Sequence, residues 1–463
     1  MKKVGIVCLV LIALIVLIVG VFIWYPDRTN EKLRSVKLGL IVEQEGIDFI
    51  FEACDILEEN YFDSDSIKYS RIFNAALNAI SDELDLCGIK FTPITIEPEC
   101  SKEETKKIFT FEFNRSQIFA LPVKDSIGHL LEFAATDSML GSIGDSHCYF
   151  LDPETTENRE KYQNSKPIFP GIGVSVGNIN GVFYFEDVFP NGPAKKSGLK
   201  RFDQLIMIDS IKTSGKDSDS ILQLLRGKKG STISLTIKRS DSIFSAKVLR
   251  DSIVRPFFSI DTIKSQGKDF VHIRLYSFMI DKYGMNFIKE YLVKIQEGSA
   301  SGIIIDLRGN LGGYVVMMEQ ALQCFLGKGT TGFYLTGKDN KKTREYITEE
   351  DSIVKLPTVV LVDERSASCA EIFPAVMQEN RKAIIVGQKT SGSVNVSYTY
   401  KLSFGSSMVV SKQQLFTAQG KKLEKFGVTP DVLVEYDKKD VLRGVDSQLQ
   451  KCVDILECAS LNK

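Results

Sequence analysis

Residues 364–371 read Glu-Arg-Ser-Ala-Ser-Cys-Ala-Glu and lie between an apolar run, Pro357 to Val362, and a segment of helical periodicity that begins at Ile372. This pattern predicts a strand that runs directly into a helix. A hydroxyl at such a turn is held clear of the sheet, beside the free backbone N–H groups of the helix start, which stabilise a developing oxyanion. Ser368 stands where a nucleophile would stand. The alternative is a structural role for Ser366 or Ser368 as the N-cap of the helix.

A second strand-turn-helix unit lies upstream. Gly302 to Arg308 has the composition of a buried strand, and Gly309-Asn310-Leu311-Gly312-Gly313 follows it and opens a helix at Tyr314. A backbone of this kind binds anions. It lacks the Gly-Lys-Ser/Thr ending and the GxGxxG spacing of nucleotide-binding loops, so an oxyanion hole is the favoured use. Together the two units predict an α/β core.

Composition limits the classes of partner. The chain has 463 residues, 43% hydrophobic and 25% charged, which suffices for two or three domains with cores of their own. Its 59 acidic residues nearly balance its 58 basic ones, so no overall charge favours nucleic acid as a partner. No CxxC motif or paired histidine spacing indicates a metal. We therefore expect no nucleic acid, no metal and no cofactor.

The N-terminal end has the pattern of a membrane anchor. Met1-Lys2-Lys3 precedes an uncharged, almost wholly apolar run from Val4 to Trp24, and about 20 such residues span a bilayer as one helix. The alternative is a cleaved signal peptide, but no small-x-small cleavage site follows the run. The two lysines predict a cytoplasmic N-terminus, with the bulk of the chain in the periplasm or outside the cell.

Cysteine use is only weakly informative. Of the nine cysteines, only Cys8 lies in the apolar run, and the others would face a compartment that permits disulfides. Cys87 with Cys100, and Cys452 with Cys458, are local pairs that could form bridges, although spacing does not fix the connectivity.

The region 30–165 is predicted to be mostly helical. Ile47 to Tyr61, Tyr69 to Leu84 and Ile127 to Met139 place apolar residues at intervals of three and four. A less regular, cysteine-bearing stretch separates the second of these helices from the third.

Three histidines are the candidates for a general base. His147 follows the glycines that end the third helix, in Gly144-Asp145-Ser146-His147, and is therefore predicted to lie on a loop. His272 lies in an alternating strand pattern, and His129 lies on a predicted helix near Asp125; we interpret both as structural or exposed. His147 is the favoured candidate, the alternative being a merely solvated loop histidine.

Residues 169–250 change character to short strands and glycine turns. Phe169-Pro170 leads into Gly171, Ile172, Gly173 and Val174, and a helix-like segment, Ser218 to Arg226, precedes a last strand. This order resembles a PDZ domain. The resemblance implies that Gly171 to Val174 offer backbone N–H groups to a C-terminal carboxylate, while the peptide adds a strand beside a helix. The alternative is a small β domain without a ligand.

The remaining chain has an α/β pattern from Phe257 onward. Asp269 to Leu275 is a predicted strand and Met285 to Glu297 a predicted helix. Glu424 lies in a loop bounded by glycines and a proline, Gly420 to Asp431, and Asp446 to Leu456 is a final predicted helix.

In combination these motifs are similar to the C-terminal processing (tail-specific) serine peptidase superfamily. Their order is Asp-Ser-His, the PDZ-like region, Asp306-Leu-Arg-Gly-Asn-Leu-Gly-Gly313, Ser366-Ala-Ser-Cys-Ala-Glu371 and Gly427-Val-Thr-Pro-Asp431. The resemblance spans roughly residues 45–457. It implies an α/β catalytic core of the ClpP/crotonase type with an inserted PDZ-like domain. It also implies endopeptidase activity on protein tails, which the PDZ domain guides or gates.

The resemblance also assigns domain boundaries. Residues 1–28 would hold the cytoplasmic N-terminus and the transmembrane anchor, and residues 29–165 the helical domain with the Ser-His pair. The PDZ-like domain would occupy residues 166–250, and the catalytic core with the C-terminal helix residues 251–463. The expected partners are protein or peptide substrates bound by their C-termini and a membrane, and the pattern is compatible with an oligomer.

One departure from the resemblance decides the predicted chemistry. In the tail-specific branch a lysine follows the serine by twenty-five residues, within Thr-x-Gly-Lys-Gly, whereas this chain has Thr390-Ser-Gly-Ser-Val394. A serine hydroxyl is nearly inert without a base. The tricorn-like branch instead uses a Ser-His pair before the PDZ domain and a Glu-x-x-Gly-Val-x-Pro-Asp loop, and this chain has Ser146-His147 and Glu424 in matching motifs. Lys389 is an alternative base.

These matches imply a role for each residue. His147 would act as general base and then as acid, Glu424 would support the charged imidazole, directly or through Ser146, and Ser368 would attack. The N–H of Cys369 and one from Gly312 or Gly313 would bind the oxyanion.

The competing hypothesis is a catalytically inactive scaffold. Such a protein would bind exposed protein C-termini through its PDZ domain and turn over no substrate. The retained serine, glycine turn and acid favour the enzyme.

Overall fold

The computed structural model describes residues 44–164 and 168–461. The predicted anchor, Val4 to Trp24, lies outside these residues. Within the described ranges no helix is both long enough and apolar enough to cross a bilayer.

The N-terminal part is a helical bundle around one apolar core. Inward-facing phenylalanines such as Phe49, Phe73 and Phe109 fill this core. The elements are Gln44–Asn60 (α1), Tyr69–Leu86 (α2), Lys102–Ala120 (α3), Lys124–Ile127 (α4), Leu130–Gly141 (α5), the strand Tyr149–Leu151 (β1) and Pro153–Asn164 (α6).

The helix α3 corrects the prediction of a less regular stretch in this region. Its buried face includes Thr105, Glu112 and Ser116, so polar residues interrupt the apolar periodicity on which the prediction depended. Its start carries a separate signal, a capping box in which Ser101 and Glu104 each accept a hydrogen bond from the other's backbone N–H.

The PDZ-like part forms a strand pair and a six-stranded sheet. Strand β2 pairs with β9, and the sheet has the order β3-β4-β5-β7-β8, with β6 on β5. Strand β3 is an edge strand, and α8 packs beside it. The elements are Ile168–Gly171 (β2), Val174–Ile179 (β3), Val182–Val188 (β4), Pro193–Lys196 (α7), Gln204–Ile208 (β5), Ile211–Lys212 (β6), Ser218–Leu225 (α8), Thr232–Arg239 (β7), Ser242–Leu249 (β8) and Asp251–Val254 (β9).

The α/β core is built on a sheet of order β10-β11-β12-β15-β16-β19. In this sheet β11, β12, β15, β16 and β19 run parallel to one another, and β10 is antiparallel to β11. Helices cover both faces, and the central strands β12 and β15 are buried along nearly all of their length, as parallel strands usually are. The elements are Phe258–Ser265 (β10), Lys268–Leu275 (β11), Lys282–Glu297 (α9), Ala300–Asp306 (β12), Val315–Gln323 (α10), Thr331–Thr336 (β13), Lys342–Ile347 (β14), Thr358–Val362 (β15), Cys369–Glu379 (α11), Ile384–Gly387 (β16), Val396–Lys401 (β17), Ser407–Thr417 (β18), Val432–Leu433 (β19), Lys438–Leu442 (α12) and Ser447–Leu461 (α13).

The long strand β18 joins the helical bundle to the catalytic core. It pairs with β1, β13 and β17, and its residues Met408 and Val410 pack into the core of the helical bundle. Because β1 begins at Tyr149, two residues after His147, this pairing fixes the histidine-bearing loop against the α/β core.

The suggested disulfide pairs do not form. All eight cysteines of the described residues are free thiols. Cys452 is buried and Cys458 exposed on the same helix, because six residues turn an α-helix by about 600° and leave the two side chains on different sides.

Candidate active site

The backbone of Ser368 is held in an unusual conformation. Strand β15 and helix α11 meet at this residue, which occupies the N-cap position with φ 56° and ψ −123°. An ordinary N-cap residue lies in the β region, and a non-glycine residue with positive φ costs about 1–3 kcal/mol unless its surroundings enforce it. The turn therefore combines a capping box, shared by Ser368 and Glu371, with a backbone conformation that an ordinary helix cap does not adopt.

Ser366 has a separate, structural role. Its hydroxyl donates to the carbonyl of Leu307 at 2.9 Å and accepts from the N–H of Asp363 at 3.0 Å. It thereby joins the end of β12 to the end of β15. Of the two serines considered from the sequence, only Ser368 is left as a candidate nucleophile.

The Gly309–Gly313 loop packs directly against Ser368. A Cβ on Gly312 would lie 2.6 Å from the Ser368 Cβ, and φ is +94° at this position, so only glycine fits. The N–H of Gly312 donates to Asn310 Oδ1 at 2.8 Å. In the described part of the chain, neither the Gly313 nor the Cys369 N–H donates a hydrogen bond. Among the three predicted oxyanion donors, Gly313 and Cys369 are therefore the two with an N–H available.

Glu371 organises the segment opposite Ser368. Its fully buried carboxylate accepts hydrogen bonds from the Thr390 hydroxyl at 2.5 Å and from the N–H groups of Gly392 at 2.6 Å, Ser393 at 2.7 Å and Ser368 at 3.2 Å. Burial raises the pKa of this carboxyl, while the hydrogen bonds act in the opposite direction. Glu371 thus supports the turn that carries Ser368.

The predicted histidine lies on a polar loop beside this segment. The His147 N–H donates to the buried Asp145 at 2.9 Å, and the His147 Nδ1 lies 3.4 Å from the Ser146 hydroxyl. The Ser146 hydroxyl in turn hydrogen-bonds to the hydroxyl of Ser393. The other carboxylate oxygen of Asp145 accepts from the Asn395 amide at 3.0 Å.

Glu424 lies behind the same segment. Its side chain is buried, and its Oε2 accepts hydrogen bonds from the N–H groups of Val394 at 2.8 Å and Asn395 at 3.2 Å. The short segment 392–395 therefore contacts the three parts of the predicted site. It bonds to Glu371 beside the Ser368 turn, to Ser146 on the histidine loop and to Glu424.

The hydrogen-bonded row of hydroxyl, imidazole and carboxylate is not formed in this structure. Among the described residues, the His147 ring makes no hydrogen bond to Ser368 or to Glu424. The alternative base, Lys389, is exposed and makes no hydrogen bond to Ser368 in the same ranges. The structure thus brings the three predicted segments together without completing direct contacts among their side chains.

Sequence reasoning missed the residues that connect the site. Ser393 and Asn395 hold the histidine loop and the Glu424 loop, yet neither residue type stands out in a loop of small polar residues. The available signal for Ser393 was its position, because it occupies the place of the lysine that the resemblance led us to expect.

The predicted peptide-binding residues line one groove. A groove of about 410 Å³ lies between the edge strand β3 and helix α8, and Gly171, Ile172, Gly173 and Val174 are among its lining residues. Gly173 has φ +79°, and a Cβ there would lie 3.3 Å from the Gly192 Cα, so the loop requires glycine.

The fold and this site define a class of protein, a serine peptidase with a PDZ domain. Residues 269–434 match Peptidase family S41, and residues 170–249 match the PDZ domain. The chain is thus similar to the S41 peptidases of the C-terminal processing type, which confirms the resemblance inferred from its motifs.

Curated relatives agree with this assignment. The chain is 28% identical over 311 residues to the carboxy-terminal processing protease CtpB of Bacillus subtilis, covering 66% of this chain and 63% of the relative. It is 28% identical over 334 residues to the carboxyl-terminal-processing protease of Picosynechococcus, covering 70% of this chain and 78% of the relative. The match thus spans less than two thirds of the Bacillus protein.

A solved structure shares the fold. A Bacteroides fragilis protein assigned to the S41 proteases superposes with a TM-score of 0.58 at 13% identity, covering 88% of this chain and 97% of the other. The mixed α/β architecture with a PDZ domain, predicted from the sequence, is confirmed.

Proposed function

We propose that this chain is a serine endopeptidase that cleaves proteins or peptides and takes hold of their C-terminal tails in the PDZ groove. The observation that carries the proposal is the Ser368 backbone, held at positive φ against Gly312 and beside the N–H groups of Gly313 and Cys369. A half-buried serine next to two backbone N–H groups that donate no other hydrogen bond suits acyl transfer.

In the proposed reaction His147 removes the Ser368 hydroxyl proton as Oγ attacks the substrate carbonyl carbon. The Gly313 and Cys369 N–H groups stabilise the oxyanion, and His147 then protonates the leaving amine. Water, deprotonated by His147, attacks the acyl-enzyme and releases Ser368. Ser146, whose hydroxyl lies 3.4 Å from His147 Nδ1, stabilises the imidazolium directly, and Glu424 stabilises it from behind the 392–395 segment.

The proposed reaction requires the imidazole to approach Ser368 Oγ. Catalytic hydrogen bonds are commonly long or absent without substrate and tighten in the complex. The backbone of His147 is held on both sides. Its N–H donates to Asp145, and strand β1, which begins two residues later, pairs with β18. A rotation of its side chain is therefore the movement that the reaction needs.

A fluorophosphonate probe tests the chemistry. We expect the purified chain to be labelled at Ser368 and labelling to be lost in Ser368→Ala and in His147→Ala. Lys389→Met is the matched control, because it removes the alternative base considered from the sequence and should label at the normal rate. Normal labelling of His147→Ala would remove histidine from the mechanism.

One observation favours the inactive scaffold as a second candidate function. The described structure has no hydrogen bond between His147 and Ser368. A scaffold would bind tail peptides equally well with Ser368→Ala, would resist the probe and would turn over no unfolded substrate. Labelling of the natural chain would exclude it.

We propose further that Val4 to Trp24 anchors the chain with its bulk outside the cytoplasm. The support is the uncharged apolar run behind two lysines. Alkaline carbonate washing of membranes should leave the full chain in the pellet and release a chain that begins at residue 29. Release of the full chain would contradict an uncleaved anchor.

A further inference from the structure

The PDZ groove is apolar along most of its length. Its floor is the edge strand β3 from Val174 to Val176, and its opposite wall is the last turns of helix α8. An unpaired edge strand accepts an extended peptide as an additional strand. The lining residues are Phe169, Gly171, Ile172, Gly173, Val174, Ser175, Val176, Phe189, Leu222, Leu225, Arg226 and Arg255.

The charged part of this lining is entirely basic. Arg226 follows the end of α8 and Arg255 follows the end of β9, and among the residues that the structure describes no carboxylate lines the groove with them. Both arginines are exposed, and within the described ranges neither guanidinium has a hydrogen bond or an ion pair. The two positive charges therefore face the groove without a counter-charge from any other lining residue that the structure describes.

Neighbouring basic residues behave differently. Arg250 donates to the carbonyls of Leu224 and Leu225 and to the Ser231 hydroxyl, and Lys229 pairs with Asp251 at 2.9 Å. Arg250 and Lys229 thus have partners within the PDZ-like part, whereas the two arginines that line the groove have none among the described residues.

We propose that the groove selects C-terminal tails that combine apolar residues with a carboxylate side chain among the last three positions. This inference rests on the proposed function, in which the groove holds substrate tails. The length follows from the floor, because Val174 to Val176 can pair with about three residues at about 3.4 Å each. The carboxylate would lie between Arg226 and Arg255, in addition to the tail's own terminal carboxylate.

The expected preference is moderate and salt-dependent. A solvent-exposed guanidinium–carboxylate pair stabilises a complex weakly, and two of them correspond to a gain in affinity of roughly three- to tenfold. Added salt screens exposed charges, so the gain should shrink between low salt and about 0.5 M.

The test uses the full chain carrying Ser368→Ala, so that bound peptides stay intact. Fluorescein-labelled peptides of one apolar sequence carry Glu or Gln at the last, second-last or third-last position, and anisotropy gives each Kd. We expect at least one Glu peptide to bind three- to tenfold more tightly than its Gln counterpart. The double change Arg226→Gln, Arg255→Gln should remove this difference, so that each Glu peptide binds with the same Kd as its Gln counterpart.

Lys228→Gln is the matched control, because Lys228 is exposed near Arg226 but does not line the groove. It should retain the preference. Equal binding of all Glu and Gln pairs, or a preference that survives the double change, would overturn the inference while tail capture stands. If no peptide binds, tail capture itself fails, whereas labelling of Ser368 by the fluorophosphonate probe reports separately on the catalytic proposal.

Discussion

The hydroxyl groups of Ser146 and Ser393 hydrogen-bond to each other although 247 residues separate them in sequence. Ser146 directly precedes His147, and the carbonyl of Ser393 accepts the Ser368 N–H at 2.7 Å. One residue therefore ties the histidine-bearing loop to the turn that carries the candidate nucleophile. The Ser393 side chain contacts the histidine-bearing loop, and the Ser393 backbone contacts the Ser368 turn. A side-chain substitution can therefore remove the first contact and keep the second.

Replacing Ser393 by alanine removes only the contact with Ser146. We expect Ser393→Ala to slow fluorophosphonate labelling of Ser368 roughly three- to tenfold, because one hydrogen bond is worth about 1 kcal/mol. Ser393→Thr keeps a hydroxyl and should restore most of the rate. Ser391→Ala, an exposed serine in the same loop, is the control. A Ser393→Ala rate equal to that of the control would show that the contact does not position His147.

Gly312→Ala should disable the site while leaving the fold intact. The added Cβ would lie 2.6 Å from the Ser368 Cβ, and φ of +94° is strained for alanine. Displacing the loop moves the Gly313 N–H, and loss of one oxyanion donor costs about 100- to 1,000-fold in rate. We expect labelling to fall by at least about 100-fold with unchanged far-UV circular dichroism. Gly327→Ala, which meets open space, should behave as the natural chain does.

The PDZ-like part is ion-paired to the nucleophile turn. Arg365, three residues before Ser368, forms a two-point ion pair with Glu186 of β4, at 3.2 Å for one contact and closer for the other. Both side chains are partly exposed, so we expect a coupling of only about 0.5–1 kcal/mol between Glu186→Gln and Arg365→Gln. A double-mutant cycle on the urea midpoint measures it. Strictly additive effects would show that this pair does not hold the PDZ-like part to the core.

The pH dependence of stability should include a contribution from Asp446. Burial alone would raise the pKa of this carboxyl, but the Arg308 and Arg201 guanidiniums outweigh burial and hold the pKa well below its usual value. A carboxyl with a depressed folded pKa stabilises the fold above its unfolded pKa, and this stability is lost as the pH falls through the folded pKa.

Asp446→Asn should therefore lower the free energy of unfolding by about 3 kcal/mol at neutral pH, because it leaves buried guanidinium charge without its partner. The difference from the natural chain should shrink as the pH falls below about 4, the unfolded pKa of an aspartate. Urea unfolding at several pH values measures it, with the exposed Asp241→Asn as control. A difference that stays constant with pH would contradict the assignment.

Local patterns were enough for the elements that carry the chemistry. The apolar strand before Ser368 and the glycine turn before Tyr314 have signals within a few residues of themselves, and both elements form as predicted. The helix Lys102–Ala120 was not predicted, because its buried face includes Glu112 and Thr105. A search for periodic apolar residues does not detect buried polar groups.

The sequence by itself determined the class of protein, the PDZ-like part and the positions of Ser368, His147 and Glu424, because each lies in a short motif whose meaning is local. The tertiary structure alone decided how these residues meet. Ser393 and Asn395 connect them through hydrogen bonds across some 30 to 250 positions of sequence. The tertiary structure also decided that two arginines line one groove without an ion pair among the described residues. Such contacts depend on how strands such as β18 pair over long distances, and no local residue pattern encodes that pairing.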